Sequence, residues 1–405
     1  MKLVTRPAFL TRVLVALSVL SLVACGGGSA PATSAPPSTS APPSTSAPPP
    51  TSGGSAPAAA APSGSTPSAA APAATPNRAA PAPTAAPSAP APSGPATKVT
   101  IGYIPILAFA PFFVAVDKGY FKEAGVDVAF EPLTGGADIL VQTAAGHFDV
   151  GGGGFGAAVL NAAQRGVGFK VVAPLHLESP PVLSPIVVRK ASVDSGAIKS
   201  LRDLKGKKVA INTKGAAAEY WVELAMRTVG LSIDDLDVVV VAPADQPAAL
   251  EKGAIEASLI YEPLATLTVQ KGIGVKLAED FVTNGQPTVT FFNQEFLKNK
   301  PAAAEAVMAG FLRGARDLVD GGFKKDENVK IIEKYTKVPV DVIRAANAPY
   351  YEPNGKLNLE DLQRQQAFYI KQGATTYKDP IDVKTMVDTS FAERAVQKLG
   401  EYKKQ

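Results

Sequence analysis

The side chains that most often carry chemistry are scarce in this chain. Its two histidines are His147 and His176, and its one cysteine is Cys25. They share no metal-ligand spacing. No Gly-x-Ser-x-Gly elbow presents a serine nucleophile, and Gly206-Lys207-Lys208 lacks the upstream glycine of a phosphate-binding loop. His147, in Ala-Gly-His-Phe-Asp, reads as a turn residue. Carboxylates are numerous, but no matched pair falls on identifiable strand ends. The expectation is a protein that binds rather than catalyses: no enzyme, no cofactor and no metal.

Two loops could hold a ligand. Gly151-Gly152-Gly153-Gly154-Phe155-Gly156 follows a short apolar run and precedes a helical one. Glycines there would let backbone approach a ligand, and the free amides of a helix N-terminus favour a polar or anionic group; a tight strand-to-helix turn explains the run equally. Asn212-Thr213-Lys214-Gly215 has a similar setting, where Asn or Thr could also be a plain cap. Aromatic residues recur at comparable places: Tyr103, Phe109, Phe155, Tyr220, Trp221 and Tyr261. Each could be core, but several together suggest stacking on a flat molecule. Tyr220 and Trp221 are adjacent, so on a helix they point about 100° apart and at most one is expected to face a cleft.

The elements that must position these loops alternate. From Lys98, strands are expected at Val99–Ile104, Val126–Glu131, Phe148–Val150 and Phe169–Pro174, with helices over Phe112–Glu123, Ala137–Ala145 and Ala157–Arg165 between them. The alternation resumes with strands Ile186–Val188, Val209–Ile211, Val238–Ala242, Ile255–Ile260 and Val275–Leu277, and with a helix over Ala216–Val229. Beyond Val289–Phe292 the pattern is helical. The expected architecture is α/β with two lobes, residues 98–186 plus 290–405 and residues 187–289, each a mainly parallel sheet flanked by helices. Ligands of such sheets bind beyond the C-terminal strand ends, here in the cleft between lobes.

Composition separates this part from the rest. Residues 1–97 contain Lys2, Arg6, Arg12 and Arg78 and no acidic residue, so the net charge of +4 belongs to them and residues 98–405 are formally neutral. Nothing there suggests a nucleic-acid surface. The first three basic residues precede the apolar run Val13–Val23, which is shorter than the roughly 20 residues a membrane span needs and ends in Leu22-Val23-Ala24-Cys25. This order reads as a signal peptide over residues 1–24. The tetrapeptide resembles the bacterial lipobox, implying lipid attachment to Cys25. Residues 26–97 hold 19 of the 36 prolines and repeat Ser-Ala-Pro-Pro-Ser-Thr; with too little apolar area to pack, they are expected to be a linker spanning roughly 50 to 220 Å. Together with Cys25 they form the segment 25–97, a tether to the extracytoplasmic face of the cell membrane.

Several motifs carry a resemblance. Gly102-Tyr103-Ile104-Pro105, Ala110-Pro111-Phe112-Phe113-Val114-Ala115, Lys118 to Val128, Ala144 to Gly151, Leu201 to Ala210, Leu250 to Ala257 and Tyr261-Glu262-Pro263 resemble, in order, the ABC-importer solute-binding proteins for sulfonates, nitrate, taurine and the thiamine pyrimidine precursor, a superfamily that also includes riboflavin-binding members. The resemblance implies the type II periplasmic-binding-protein fold, a hinge, and a monomer that hands a small solute to a permease and its ATPase. The yeast branch that consumes itself to make the pyrimidine uses a cysteine-rich segment, which residues 98–405 lack. The residues expected to meet ligand are Tyr103, Phe109, Gly154, Phe155, Asn212, Thr213, Tyr220, Tyr261 and Glu262. Aromatics outnumber cations among them, which favours a planar heterocycle such as riboflavin or the thiamine pyrimidine. The alternatives are a sulfonate, taurine or nitrate, and, from another class, an extracytoplasmic enzyme or a sensory module on the same scaffold.

Overall fold

The computed structural model describes residues 95–404 apart from Thr134. The expected signal peptide, Cys25 and the linker up to residue 94 lie outside the described residues. No helix in the described part is long and apolar enough to cross a membrane.

The chain builds β1 (Thr97–Tyr103), β2 (Val126–Pro132), β3 (Val150–Gly154) and β4 (Phe169–Glu178), then crosses to β5 (Ile186–Arg189), β6 (Lys208–Ile211), β7 (Asp237–Val240), β8 (Ala257–Leu259) and β9 (Gly274–Ala278), and returns as β10 (Gly285–Asn293). These strands form two five-stranded sheets, ordered β2-β1-β3-β10-β4 and β7-β6-β8-β5-β9. Each sheet is mixed. β1 runs parallel to β2 and β3, while β10 is antiparallel to β3 and β4. In the second sheet β6 runs parallel to β7 and β8, and β5 is antiparallel to β8 and β9. The single reversed strand of each sheet is the one by which the chain enters it from the other. The β10 strand starts at Gly285 in the first sheet, so residue 290, the lobe limit expected from sequence, falls inside it.

Helices cover both sheets because the connecting segments are apolar on one face. Helix Ala110–Asp117 buries Phe112, Phe113 and Val114, and Pro111 at its start fits a first turn whose amide has no partner to lose. The expected helix over Phe112–Glu123 is in fact two, divided around Gly119. Phe112, Phe121 and Phe311 stack into one cluster, and each fully buried phenylalanine contributes about 1.5–3 kcal/mol. A smaller core of Val187, Ala210, Leu250, Ile255, Ile260 and Ala265 fills the other face of the second sheet.

The glycine run corrects a sequence expectation. Val150–Gly154 is β3 itself, not a loop after a strand. A Cβ on Gly151 would lie 2.5 Å from the side chains of Phe291 and Thr143, one on Gly152 would lie about 3 Å from Leu175 and Phe109, and one on Gly153 would meet the Gly136 backbone at 3.2 Å. These glycines therefore make room for their neighbours rather than for a ligand.

Candidate functional site

The two loops that sequence placed in separate lobes meet. The Ala157 amide donates to the Gly215 carbonyl at 2.8 Å, and a Cβ on Gly156 would stand 2.7 Å from that same oxygen. The amide at the start of helix Ala157–Gln164 is thus spent on backbone, which weakens its value as an anion cradle. On the other side, the Gly215 amide donates to Glu219 Oε2 at 2.7 Å. The lobes touch along this edge in a closed arrangement.

Behind the contact lies an aromatic and acidic cluster. Tyr369, on helix Leu359–Lys371, is fully buried and donates to the Phe155 carbonyl at 3.3 Å. Burial pushes its phenol pKa well up, and the nearby charges of Tyr261, Glu219, Tyr220 and Asp361 push it further. Tyr261 is half-buried; burial first, and then the charge of Glu178, raise its phenol as well. Tyr220 reaches Asp361 Oδ1 at 3.4 Å and packs 5.4 Å from the Phe368 ring. Burial, with Asp361 behind it, pushes Tyr220 up to about 12. Asn212 and Tyr261 follow the parallel strands β6 and β8, so the second sheet brings them side by side.

Tyr220 and Trp221 both pack against the first lobe. Helix Ala217–Arg227 is flanked on one side by Asp361 and Phe368, and on the other by the start of β10, where a Cβ on Gly285 would meet the Trp221 ring at 2.7 Å.

Three expected residues have other employment. Phe109 is fully buried beside Gly152, and Tyr103 packs edge-on to Phe109 and Phe113 and against Phe130, inside the first lobe. Glu262 accepts from the Thr266 amide and hydroxyl at 3.0 Å and pairs with Lys276 at 2.6 Å, which makes it a buried helix-start anchor. Thr213 and Lys214 are exposed, and Gly154 is an exposed strand end.

Sequence reasoning missed the polar floor. His176 Nδ1 meets the Thr288 hydroxyl at 2.7 Å, and Glu178, the last residue of β4, accepts from the Leu183 amide and the Ser184 hydroxyl, each at 2.6 Å. Asp361 accepts from the Gln286 amide at 2.8 Å and from Gln365 Nε2 at 2.9 Å. Glu178, Asp361 and Glu219 are 1%, 2% and 8% exposed. The cations that approach, Lys276 and Arg364, are already paired with Glu262 and Asp361. Five buried atoms here, His176 Nε2, Asn212 Oδ1, Trp221 Nε1, Gln286 Nε2 and Gln365 Oε1, have no hydrogen-bond partner among the described residues. The polar character of the β4 and β10 ends, in Pro174-Leu175-His176-Leu177-Glu178 and Gln286-Pro287-Thr288, was the signal available. Among the described residues no group of three or more His, Cys, Asp or Glu could hold a metal ion.

The model of the NMT1-like family matches residues 93–334. The chain belongs to the NMT1-like family. A riboflavin-binding protein of Chloroflexus aurantiacus is 28% identical over 226 residues, 54% of this chain and 61% of that protein. A nitrate/nitrite binding protein of Nostoc is 24% identical over 291 residues, 67% of this chain and 64% of its own length. Among solved structures, the alkanesulfonate-binding protein of Xanthomonas axonopodis bound to MOPS superposes with a TM-score of 0.58 at 19% identity, covering 73% of this chain and 99% of that one. The fold of this NMT1-like chain is that of the periplasmic binding proteins, as its sequence motifs implied. Family, relatives and fold together support an ABC-type solute-binding protein.

Proposed function

We propose that this protein captures a planar, nitrogen-bearing heterocycle of the riboflavin or aminopyrimidine kind and delivers it to the permease and ATPase of an ABC importer. The observation that carries the reading is the gathering of rings and carboxylates at the inter-lobe contact: Tyr220 reaches Asp361 at 3.4 Å and packs 5.4 Å from Phe368, Tyr369 donates to the Phe155 carbonyl at 3.3 Å, and Tyr261 follows β8 within the electrostatic reach of Glu178 and Tyr369. Ring faces favour stacking on a flat ligand. Asp361 is paired with Arg364, but Glu178 and Glu219 have no lysine or arginine partner among the described residues, and carboxylates so placed attract N–H donors and repel sulfonate or nitrate. The orphaned Asn212 Oδ1, Trp221 Nε1 and Gln365 Oε1 offer both acceptors and a donor, which suits a heterocycle whose edge mixes the two. Leaving buried polar atoms unpaired costs about 1–3 kcal/mol each, and a matching ligand would recover it.

A small oxyanion is the second reading, because nitrate- and alkanesulfonate-binding proteins are among the relatives and fold neighbours. Calorimetric titration of the purified protein with riboflavin, an aminopyrimidine, taurine and nitrate separates the two. Heat only with taurine or nitrate would sink the heterocycle. The reading includes a monomeric domain without catalytic turnover, tethered through lipid on Cys25 to the outer face of the cell membrane, where two or more acyl chains hold a protein stably.

A further inference from the structure

Two segments carry the chain between the sheets, residues 179–185 and 279–284, and they are joined to each other where the Val182 amide donates to the Glu279 carbonyl at 2.8 Å. A third segment runs alongside. Helix Val340–Ala345 packs on helix Asp326–Thr336 of the first lobe, where Arg344 pairs with Asp326, and also reaches across to helix Leu264–Gln270 of the second lobe. Directly after it, Asn347 Nδ2 donates to the Val182 carbonyl at 2.8 Å and to Glu279 Oε1 at 2.6 Å, one partner from each crossover. Its Oδ1 accepts from Lys276 Nζ at 3.2 Å, and its amide reaches Glu262 Oε1 at 3.4 Å. Three residues later the chain is tied to the first sheet: Tyr350 exchanges backbone hydrogen bonds with Leu177 of β4, at 2.7 and 3.3 Å, and the buried Tyr351 hydroxyl donates to the Leu107 carbonyl at 2.6 Å. Ser179, Asn284 and Tyr350, one from each connection, line a common cavity of about 550 Å³.

The same node holds Tyr261. Its neighbour Glu262 is fixed by Lys276 at 2.6 Å through the side chain and by the Leu183 carbonyl at 2.8 Å through its amide. We propose that residues 346–351 are a third inter-lobe bridge, a stretch of first-lobe chain laid across both crossovers, and that Asn347 is a positioning residue that couples lobe closure to the placement of Tyr261. The side-chain amide suits this place because it offers two donors and one acceptor and all three are used. Alanine at this position would leave the two crossovers joined by the backbone bond of Val182 and by the Asn284 amide, which donates to the Ser179 hydroxyl at 3.2 Å. The lobes would then open more widely, and the Tyr261-Glu262 segment would lose its brace. The inference does not depend on which ligand is bound.

Its test needs no ligand. In the full chain carrying Cys25→Ser, nitroxide labels on Val141→Cys in the first lobe and Val240→Cys in the second, both well exposed, report the inter-lobe distance by double electron–electron resonance. Adding Asn347→Ala is expected to lengthen and broaden the distribution, while Glu401→Ala, on a surface pair with Lys356, leaves it unchanged. An unchanged distribution in a folded Asn347→Ala protein overturns the proposal. Hydrogen exchange supplies a second measure on the unsubstituted protein. Peptides covering 346–351, 182–184 and 260–263 should open together at one rate; exchange of 346–351 orders of magnitude faster than the other two overturns the proposal even if Asn347→Ala fails to fold.

Discussion

The amide of Ala157 and the carbonyl of Gly215, 2.8 Å apart, join the two lobes backbone to backbone. No side chain mediates the contact, so its distance is set by what can fit between the loops. Gly156→Val would place carbon where only 2.7 Å separates the Cβ position from the Gly215 oxygen. The lobes should be held apart, with a larger radius of gyration in small-angle scattering and affinity for the captured solute lower by about tenfold, or 1.4 kcal/mol. Unchanged scattering from a folded variant would contradict the closed contact.

Tyr261→Ala should weaken binding of a planar ligand by about 1–3 kcal/mol, the range for an aromatic residue stacked on a base. Tyr261→Phe, which keeps the ring, should retain most of that affinity. Calorimetry on the pair decides whether the ring or the hydroxyl matters. Equal affinity in both variants and the parent would return Tyr261 to a packing role.

Asp361→Asn tests the buried negative field. Its carboxylate accepts from Gln286 and Gln365 on one oxygen and from Tyr220 and Arg364 on the other, and the amide that replaces it must turn a donor toward one of these two pairs. Thermal stability should fall by about 1–3 kcal/mol. If the field excludes oxyanions, the same variant should bind taurine or nitrate more tightly than the parent does; weaker binding of both would count against that account.

Glu305 provides a pH test away from the cleft. Its hydrogen bond to Lys398 at 2.8 Å holds its carboxyl below the usual range; burial opposes this, and the hydrogen bond to Arg394 at 2.7 Å adds to the lowering. A carboxyl with a lower pKa in the folded state than in the unfolded one adds stability above the unfolded value, about 4.5, and loses it as pH falls through the folded value. Melting temperatures of the parent and Glu305→Gln should therefore differ most near neutrality and converge in acid. A constant gap down to about pH 2.5 would refute the assignment.

Cys25→Ser should release the protein from membranes, as seen by fractionation of cells. Persistent membrane association would rule out the lipid tether.

Much of the scaffold was legible because burial imposes period. Val209–Ile211 and Ala216–Val229 stand within two residues of β6 and helix Ala217–Arg227. The glycine run misled because the reason for its composition lies in distant side chains, Phe291 and Leu175 among them, and no local pattern reports them. The facing of the Phe155 and Gly215 loops was readable from strand order. The floor was not. His176, Glu178, Asp361 and Gln365 come from β4 and a helix that starts more than 180 positions later, and only the tertiary path brings them together.

The four-glycine strand limits how this protein could change its cargo over evolutionary time. With β3 hemmed in by side chains of β4, β10 and two helices, any enlargement there demands simultaneous trimming elsewhere, a combination that stepwise mutation rarely reaches. On the opposite side Thr213 and Lys214 are exposed loop residues, whose side chains can change without displacing a packed neighbour. New specificities should arise on that side first, leaving the first lobe as the inherited constant.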